Sequence, residues 1–272
     1  MDTGYQIVKL TDEEMGRFYA NNDLPVQLQE NQYLVLEDLE GRIVDKFKFQ
    51  NSCLKKVNFP MINSTFIGKI KPKTFEQELA LDLLSDNNVP VKIVRGVYGA
   101  GKDLLMFGKA LEFIEKGYYE KIIYIRPNVT LKDVPDIGYL RGGIEEKLSW
   151  TFGPLYDKIG GKENLDVLID QNKIELMPLL FIRGRSFENS IVYVTEGQNI
   201  TNEIAKLLLG RIGHDSILMI NADTHQTDNR LYDKDNGIVR MIDKLSGNPL
   251  FGYVYLGETL RSETANLANL LD

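Results

Sequence analysis

The chain has 272 residues, 43% hydrophobic and 26% charged, with a formal net charge of −7, an ordinary soluble composition with nothing that reads as a polybasic nucleic-acid tail. Its one cysteine, Cys53, excludes an internal disulfide, and one Cys with two His argues against a zinc site. No apolar run reaches the roughly 20 residues of a membrane span, and the N-terminus lacks a cationic stretch followed by an apolar one, so a cytoplasmic protein without a membrane partner is expected.

Residues 1–70 read as a small β-rich N-terminal unit. Residues 32–36 and 42–49 alternate in polarity around Asp38-Leu39-Glu40-Gly41, which predicts a β-hairpin with a tight turn. Lys69-Ile70-Lys71-Pro72-Lys73 marks a junction, and residues 71–272 form the second expected unit. Here the pattern becomes helix and strand in alternation. A helix is predicted over 74–84, a strand over 91–94, a glycine loop, a helix over 102–116 and a strand over 121–125. Strands follow over 174–176, 190–194 and 217–220, with a helix over 201–211 between the last two. A late strand over 252–256 and a closing helix over 261–271 complete the set. Apolar strands alternating with helices predict an α/β fold with a mostly parallel sheet, in which ligands bind beyond the carboxyl ends of the strands.

The segment Gly96, Val97, Tyr98, Gly99, Ala100, Gly101, Lys102 lies between a strand and a helix. That is the phosphate-loop pattern in its required context. Glycines let the backbone curl so that successive N–H groups face phosphate oxygens, the helix N-terminus adds partial positive charge, and Lys102 supplies a full cation. Asp103 and Leu104 continue the nucleotide-binding stretch. Asp103 is out of pattern, because a Ser or Thr hydroxyl is expected there to reach Mg²⁺. The apolar strand 190–194 then ends in Thr195-Glu196, where Asp-Glu is expected. Acid and hydroxyl are thus exchanged between the two positions. One reading is a reciprocal swap in which Asp103 and Thr195 together still hold Mg²⁺. The other is two independent losses in a chain that no longer hydrolyses nucleotide.

Further motifs accompany the loop: Ile125-Arg126-Pro127, Asp136-Ile137-Gly138-Tyr139-Leu140-Arg141-Gly142, Pro154-Leu155-Tyr156-Asp157, Phe181-Ile182-Arg183-Gly184-Arg185-Ser186, Glu196-Gly197-Gln198-Asn199, Asp223-Thr224-His225-Gln226 and Leu256-Gly257-Glu258-Thr259-Leu260-Arg261. Together they resemble the PhoH-like proteins, RecA-type P-loop ATPases related to superfamily 1 helicases, over about residues 70–272. The N-terminal part resembles the segment that precedes the ATPase core in longer members carrying a PIN nuclease domain; no PIN domain is expected in this chain. The resemblance implies a RecA-like fold, ATP and Mg²⁺ as cofactors, single-stranded RNA or DNA as partner, and a homo-oligomeric ring, of six subunits in the family. It implies that Gln77 reads adenine, that Gln226 senses the γ-phosphate or the attacking water, and that Arg261 approaches phosphate from its own or a neighbouring subunit. Arg183 and Arg185 are open between nucleic-acid contact, a finger to a neighbour's phosphate, and a solvated surface pair.

The expected mechanism is attack of water on ATP. Lys102 and the loop amides hold phosphate, Asp103 and Thr195 hold the metal, Glu196 places the water, and Gln226 and Arg261 complete the catalytic set. The competing reading is a nucleotide-binding assembly module with little or no turnover. A small-molecule kinase fits the helicase-like Glu-Gly-Gln and Asp-x-x-Gln elements less well.

Overall fold

The computed structural model describes residues 2–21, 26–127, 153–223 and 235–260, without the side chains of Pro154 and Leu180. Within the first of the two regions, β1 (Tyr5–Lys9) runs parallel to β2 (Tyr33–Glu37), with α1 (Asp12–Asn21) between them in sequence. The predicted hairpin is present: β2 and β3 (Ile43–Gln50) pair antiparallel, and β4 (Cys53–Lys56) closes a four-stranded sheet in the order β1-β2-β3-β4. The turn is held by Asp38, whose carboxylate accepts from the Glu40 and Arg42 amides at 2.9 Å each. A two-stranded ribbon, β5 (Ile62–Ser64) and β6 (Gly68–Ile70), leads into the second region.

There, six parallel strands form one sheet in the order β12-β7-β11-β10-β8-β9, with β7 (Val91–Gly96), β8 (Lys121–Arg126), β9 (Ile174–Pro178), β10 (Ser190–Val194), β11 (Ile217–Asp223) and β12 (Phe251–Leu256). The helices are α2 (Phe75–Ser85), α3 (Lys102–Glu115), α4 (Gly153–Lys158), α5 (Lys162–Asp170), α6 (Asn202–Leu209) and α7 (Gly237–Leu245). This is the architecture of a RecA-like P-loop domain preceded by a small N-terminal β unit. Both faces of the sheet are covered, so its strands are apolar on both sides rather than alternating. Along β10, Ile191 and Tyr193 join the core on the α3 side, whereas Val192 and Val194 join the core beneath α6 and α7. Each such fully buried side chain contributes about 1.5–3 kcal/mol of transfer free energy.

Local chemistry sets the helix starts. Thr74 caps α2, its hydroxyl accepting from the Gln77 amide at 3.3 Å, and Asn236 caps α7 by accepting from the Ile238 and Val239 amides. The two regions share a core: Tyr33, Val35 and Ile62 pack with α2 and α3. Polar contacts add to it. Asn31 donates its amide to the carbonyls of Pro249 and Phe251, both at 3.0 Å, and the Tyr33 hydroxyl donates to Asp82 at 2.8 Å. The Lys48 ammonium meets Asp86 at 2.6 Å and draws that carboxyl down to about 2 against the opposing effect of burial. Lys92, fully buried on β7, donates to the Leu84 carbonyl at 2.9 Å; burial pulls its ammonium down to about 7. No helix of the described residues is long and apolar enough to cross a membrane.

Candidate functional site

The glycine loop leaves the carboxyl end of β7 and enters α3. At Gly96 the backbone passes so close to β12 that an added Cβ would lie 2.2 Å from the Leu256 carbonyl oxygen. At Gly101 the chain turns through φ +81°, a left-handed conformation that glycine adopts without strain, and so delivers Lys102 as the first residue of the helix. Behind the loop, buried Gln77 braces it. Its amide nitrogen donates to the Ala100 carbonyl at 2.9 Å, while its oxygen accepts from the Lys73 amide at 2.8 Å. The C-terminal side also ties in: the Leu260 amide donates to the Gly99 carbonyl at 3.1 Å, and Glu76 accepts from the Gly257 amide at 2.8 Å. Lys102 is 8% exposed. Its ammonium donates to the Gly96 and Val97 carbonyls at 2.8 and 2.7 Å and to Asp223 at 3.3 Å.

Strand order brings the acids to this lysine. Because β11 lies between β7 and β10, its terminal residue Asp223 stands between the loop and the end of β10. Thr195, 3% exposed, follows β10, its amide donating to the Ile125 carbonyl at 3.1 Å. Glu196 has φ 54° and ψ 39°, left-handed backbone that only a few per cent of non-glycine residues adopt. Its carboxylate accepts from the Gln198 amide at 2.8 Å and faces Arg126 at 3.8 Å. Gln198 in turn accepts from the Asp223 backbone amide at 2.9 Å.

A cavity of about 440 Å³ opens between these groups. It brings together the predicted Tyr98, Gly99, Gly101, Lys102, Asp103, Leu104, Thr195 and Glu196. Gly96 and Val97 serve it through their carbonyls, whereas Gln77 and Ala100 lie behind the loop and outside the cavity wall. Arg126, Lys158, Gln198, Asn221 and Asp223 line it as well, none of them singled out for a role by sequence reasoning. Three of these occur inside quoted motifs, which was the available signal; Lys158 directly follows one. Gln226, Arg261 and the loop 136–147 lie outside the described residues. Arg183 is exposed and pairs with Glu203 at 3.4 Å; Arg185 pairs with Glu175 and lies 5.4 Å from the Phe187 ring centre.

Among the described residues Asp103 meets the Lys158 ammonium, which lines the cavity, and the hydroxyl of Tyr193, which is buried behind it. Burial raises the Tyr193 phenol well above its usual range, and it stacks on Tyr124 with ring centres 5.5 Å apart. Burial lowers the Lys158 ammonium to about 8, opposed by the Glu196 carboxylate, so it stays charged at neutral pH. The carboxylate of Asp103 and the hydroxyl of Thr195 are hard oxygen donors on one cavity, the type Mg²⁺ takes. Among the described residues no group of three or more His, Cys, Asp and Glu could hold a metal by itself. This donor set therefore fits an ion that shares its shell with phosphate and water, the usual state of Mg²⁺ beside a nucleotide.

The family model described as "PhoH-like protein" matches residues 69–268. "Protein PhoH2" of Bacillus subtilis (strain 168) is 31% identical over 98% of this chain and 64% of its own length. "Protein PhoH2" of Thermobispora bispora is 32% identical over 73% of this chain and 46% of its own length. A "PhoH-like protein" of Bacillus subtilis (strain 168) is 32% identical over 58% of this chain and 50% of its own length. The chain thus spans about half to two thirds of the length of these relatives. Its phosphate loop, its parallel sheet and these matches together make it a member of the PhoH-like protein family.

Proposed function

We propose that the chain binds ATP in the cavity above β7 and hydrolyses it by direct attack of water. The observation that carries this reading is the convergence of Lys102, Asp223 and Glu196 on one cavity at the carboxyl ends of parallel strands. Lys102 and the amides at the start of α3 hold the phosphates, and Asp103 with Thr195 offers oxygen to a magnesium ion. When bound, such an ion neutralises charge on the β and γ phosphates. Glu196, oriented by Gln198, accepts a hydrogen bond from the water and places it for attack. Catalysis is then positioning plus charge stabilisation. By family membership the turnover serves movement or remodelling on single-stranded RNA or DNA. Assembly into a homo-oligomer, with Arg261 reaching phosphate and Gln226 reporting it, belongs to the same proposal, as does a cytoplasmic setting.

Calorimetry with ATP and Mg²⁺ tests the reading. Wild type should bind and Lys102→Ala should bind far more weakly or not at all, because the loop's full cation is gone. Equal affinity for the two would remove the site assignment. Phosphate release by wild type, with and without single-stranded RNA or DNA, separates the enzyme from the second reading, a nucleotide-binding assembly module. The contact between Asp103 and Lys158 favours that module, since the acid at the loop already has a cation.

A further inference from the structure

Among the described residues three carboxylates face the cavity, and each meets a different cation: Asp223 meets Lys102 at 3.3 Å, Glu196 faces Arg126 at 3.8 Å, and Asp103 contacts Lys158. The first two pairs join groups at the glycine loop and at the carboxyl ends of β8, β10 and β11. The third is different. Asp103 stands one residue after the loop lysine, where its charge would repel a polyphosphate over a few ångströms; at such separations an unscreened charge is worth several-fold to many-fold in affinity. The neutralising group is supplied from α4, whose neighbours Leu155 and Ile159 are fully buried and anchor that helix while Lys158 reaches into the cavity. The side chains of Asp103 and Lys158 are 27% and 22% exposed, so the pair is incompletely screened by water. Tyr193, rooted in the core by Tyr124 and Phe107, holds the Asp103 carboxylate toward Lys158 from the other side.

We infer that Lys158 is a tethered counter-ion of the phosphate site, performing at Asp103 part of the charge neutralisation otherwise left to a divalent metal. This rests on the nucleotide reading above and deepens it. A lysine on a flexible four-carbon stem can keep one donor on Asp103 and turn another toward a phosphate oxygen. The site then takes nucleotide in two ways: with a metal ion sharing Asp103, or without one, with Lys158 as the local cation. Dependence on metal should accordingly be shallow, and Lys158 should set how shallow.

The test titrates ATP into wild type, Lys158→Met, Lys158→Arg and Asp103→Asn by calorimetry, once in excess EDTA and once in excess Mg²⁺. Wild type should bind ATP in both buffers. Lys158→Met should weaken metal-free binding about tenfold, and binding in Mg²⁺ by less than about threefold. Lys158→Arg, which keeps the charge, should follow wild type, showing that loss in the methionine variant is not a folding defect. Asp103→Asn should strengthen metal-free binding and narrow the gap between buffers. The inference is overturned if Lys158→Met binds metal-free ATP as wild type does, or weakens equally in both buffers. It is also overturned if wild type binds only in Mg²⁺. Wild type that binds no ATP in either buffer would instead remove the nucleotide reading, and this inference with it.

Discussion

Replacing Gln77 by Ala separates two roles for the same side chain. In the structure its amide joins the Lys73 N–H to the Ala100 carbonyl, and an added Cβ at Gly101 would come within 2.9 Å of its nitrogen. Lys73 is exposed, so its N–H finds water once the side chain is gone; Ala100 is 1% exposed, so its carbonyl is left without that partner. An unsatisfied buried acceptor costs about 1–3 kcal/mol. If roughly half of this falls on the loop conformation that receives phosphate, affinity drops about two- to tenfold. A brace acts on the loop and is indifferent to the base, so ATP, GTP and inorganic tripolyphosphate should weaken by the same factor. Calorimetry with the three ligands makes the comparison. Loss of ATP affinity with tripolyphosphate binding unchanged would refute the brace and support the adenine contact that family resemblance implies. Gln77→Glu adds a control: it places a carboxylate against the Ala100 carbonyl and should be at least as damaging as alanine.

Glu196→Gln should keep ATP binding and lose phosphate release, because glutamine preserves an acceptor for the Gln198 amide but not the charge that orients water; unchanged turnover would exclude Glu196 from the water site. For the exchanged pair, Asp103→Thr and Thr195→Asp should each impair Mg²⁺-dependent ATP affinity more than the double reversal does, with a coupling on the order of 1–3 kcal/mol in a double-mutant cycle, whereas additive effects would mean the two do not share a metal. Lys92 gives a pH dependence. Its ammonium titrates near 7 in the fold and near the ordinary lysine value when unfolded, so from pH 7 to 9 the unfolded chain binds more protons and stability rises with pH. Lys92→Met should remove a slope of up to about 1.4 kcal/mol per pH unit from urea unfolding over that window, and an unaltered slope would show that Lys92 is charged in the fold.

How far the sequence reaches depends on the range of the forces involved. The phosphate loop is legible because its chemistry is contiguous: the strand, the turning glycines and Lys102 lie within a dozen residues. The β2–β3 hairpin is legible for the same reason, since Asp38 closes its turn locally. The parallel partner β1 is not, because its pairing with β2 crosses α1 and its fate depends on that tertiary contact. Helices α1, α4, α5 and α7 were missed too; α4 has six residues, too few to show a helical period, whereas α7 carries one, with Ile238, Met241 and Ile242 buried along one face behind its Asn236 cap. At the site, the types of residue at 103 and 195 show that acid and hydroxyl have changed places. That Asp103 would meet Lys158 and Tyr193 is invisible, because the partners come from helix α4 and from the interior of β10. Tyr193 reads in sequence as a strand core residue, and it is buried as one; only its hydroxyl reaches the site, by donating to Asp103.

Gln198 links the two halves of the cavity. One end of its amide fixes the carboxylate of Glu196, and the other receives the backbone of Asp223, whose side chain meets Lys102. In the proposed mechanism, grip on the phosphate and aim of the water are therefore set by a single planar group that cannot rotate for one without disturbing the other. Such a linkage makes the site hard to retune piecemeal: a change that loosens the nucleotide also misdirects the acid. On that mechanism, a variant with altered turnover but unaltered nucleotide affinity must leave that amide where it is.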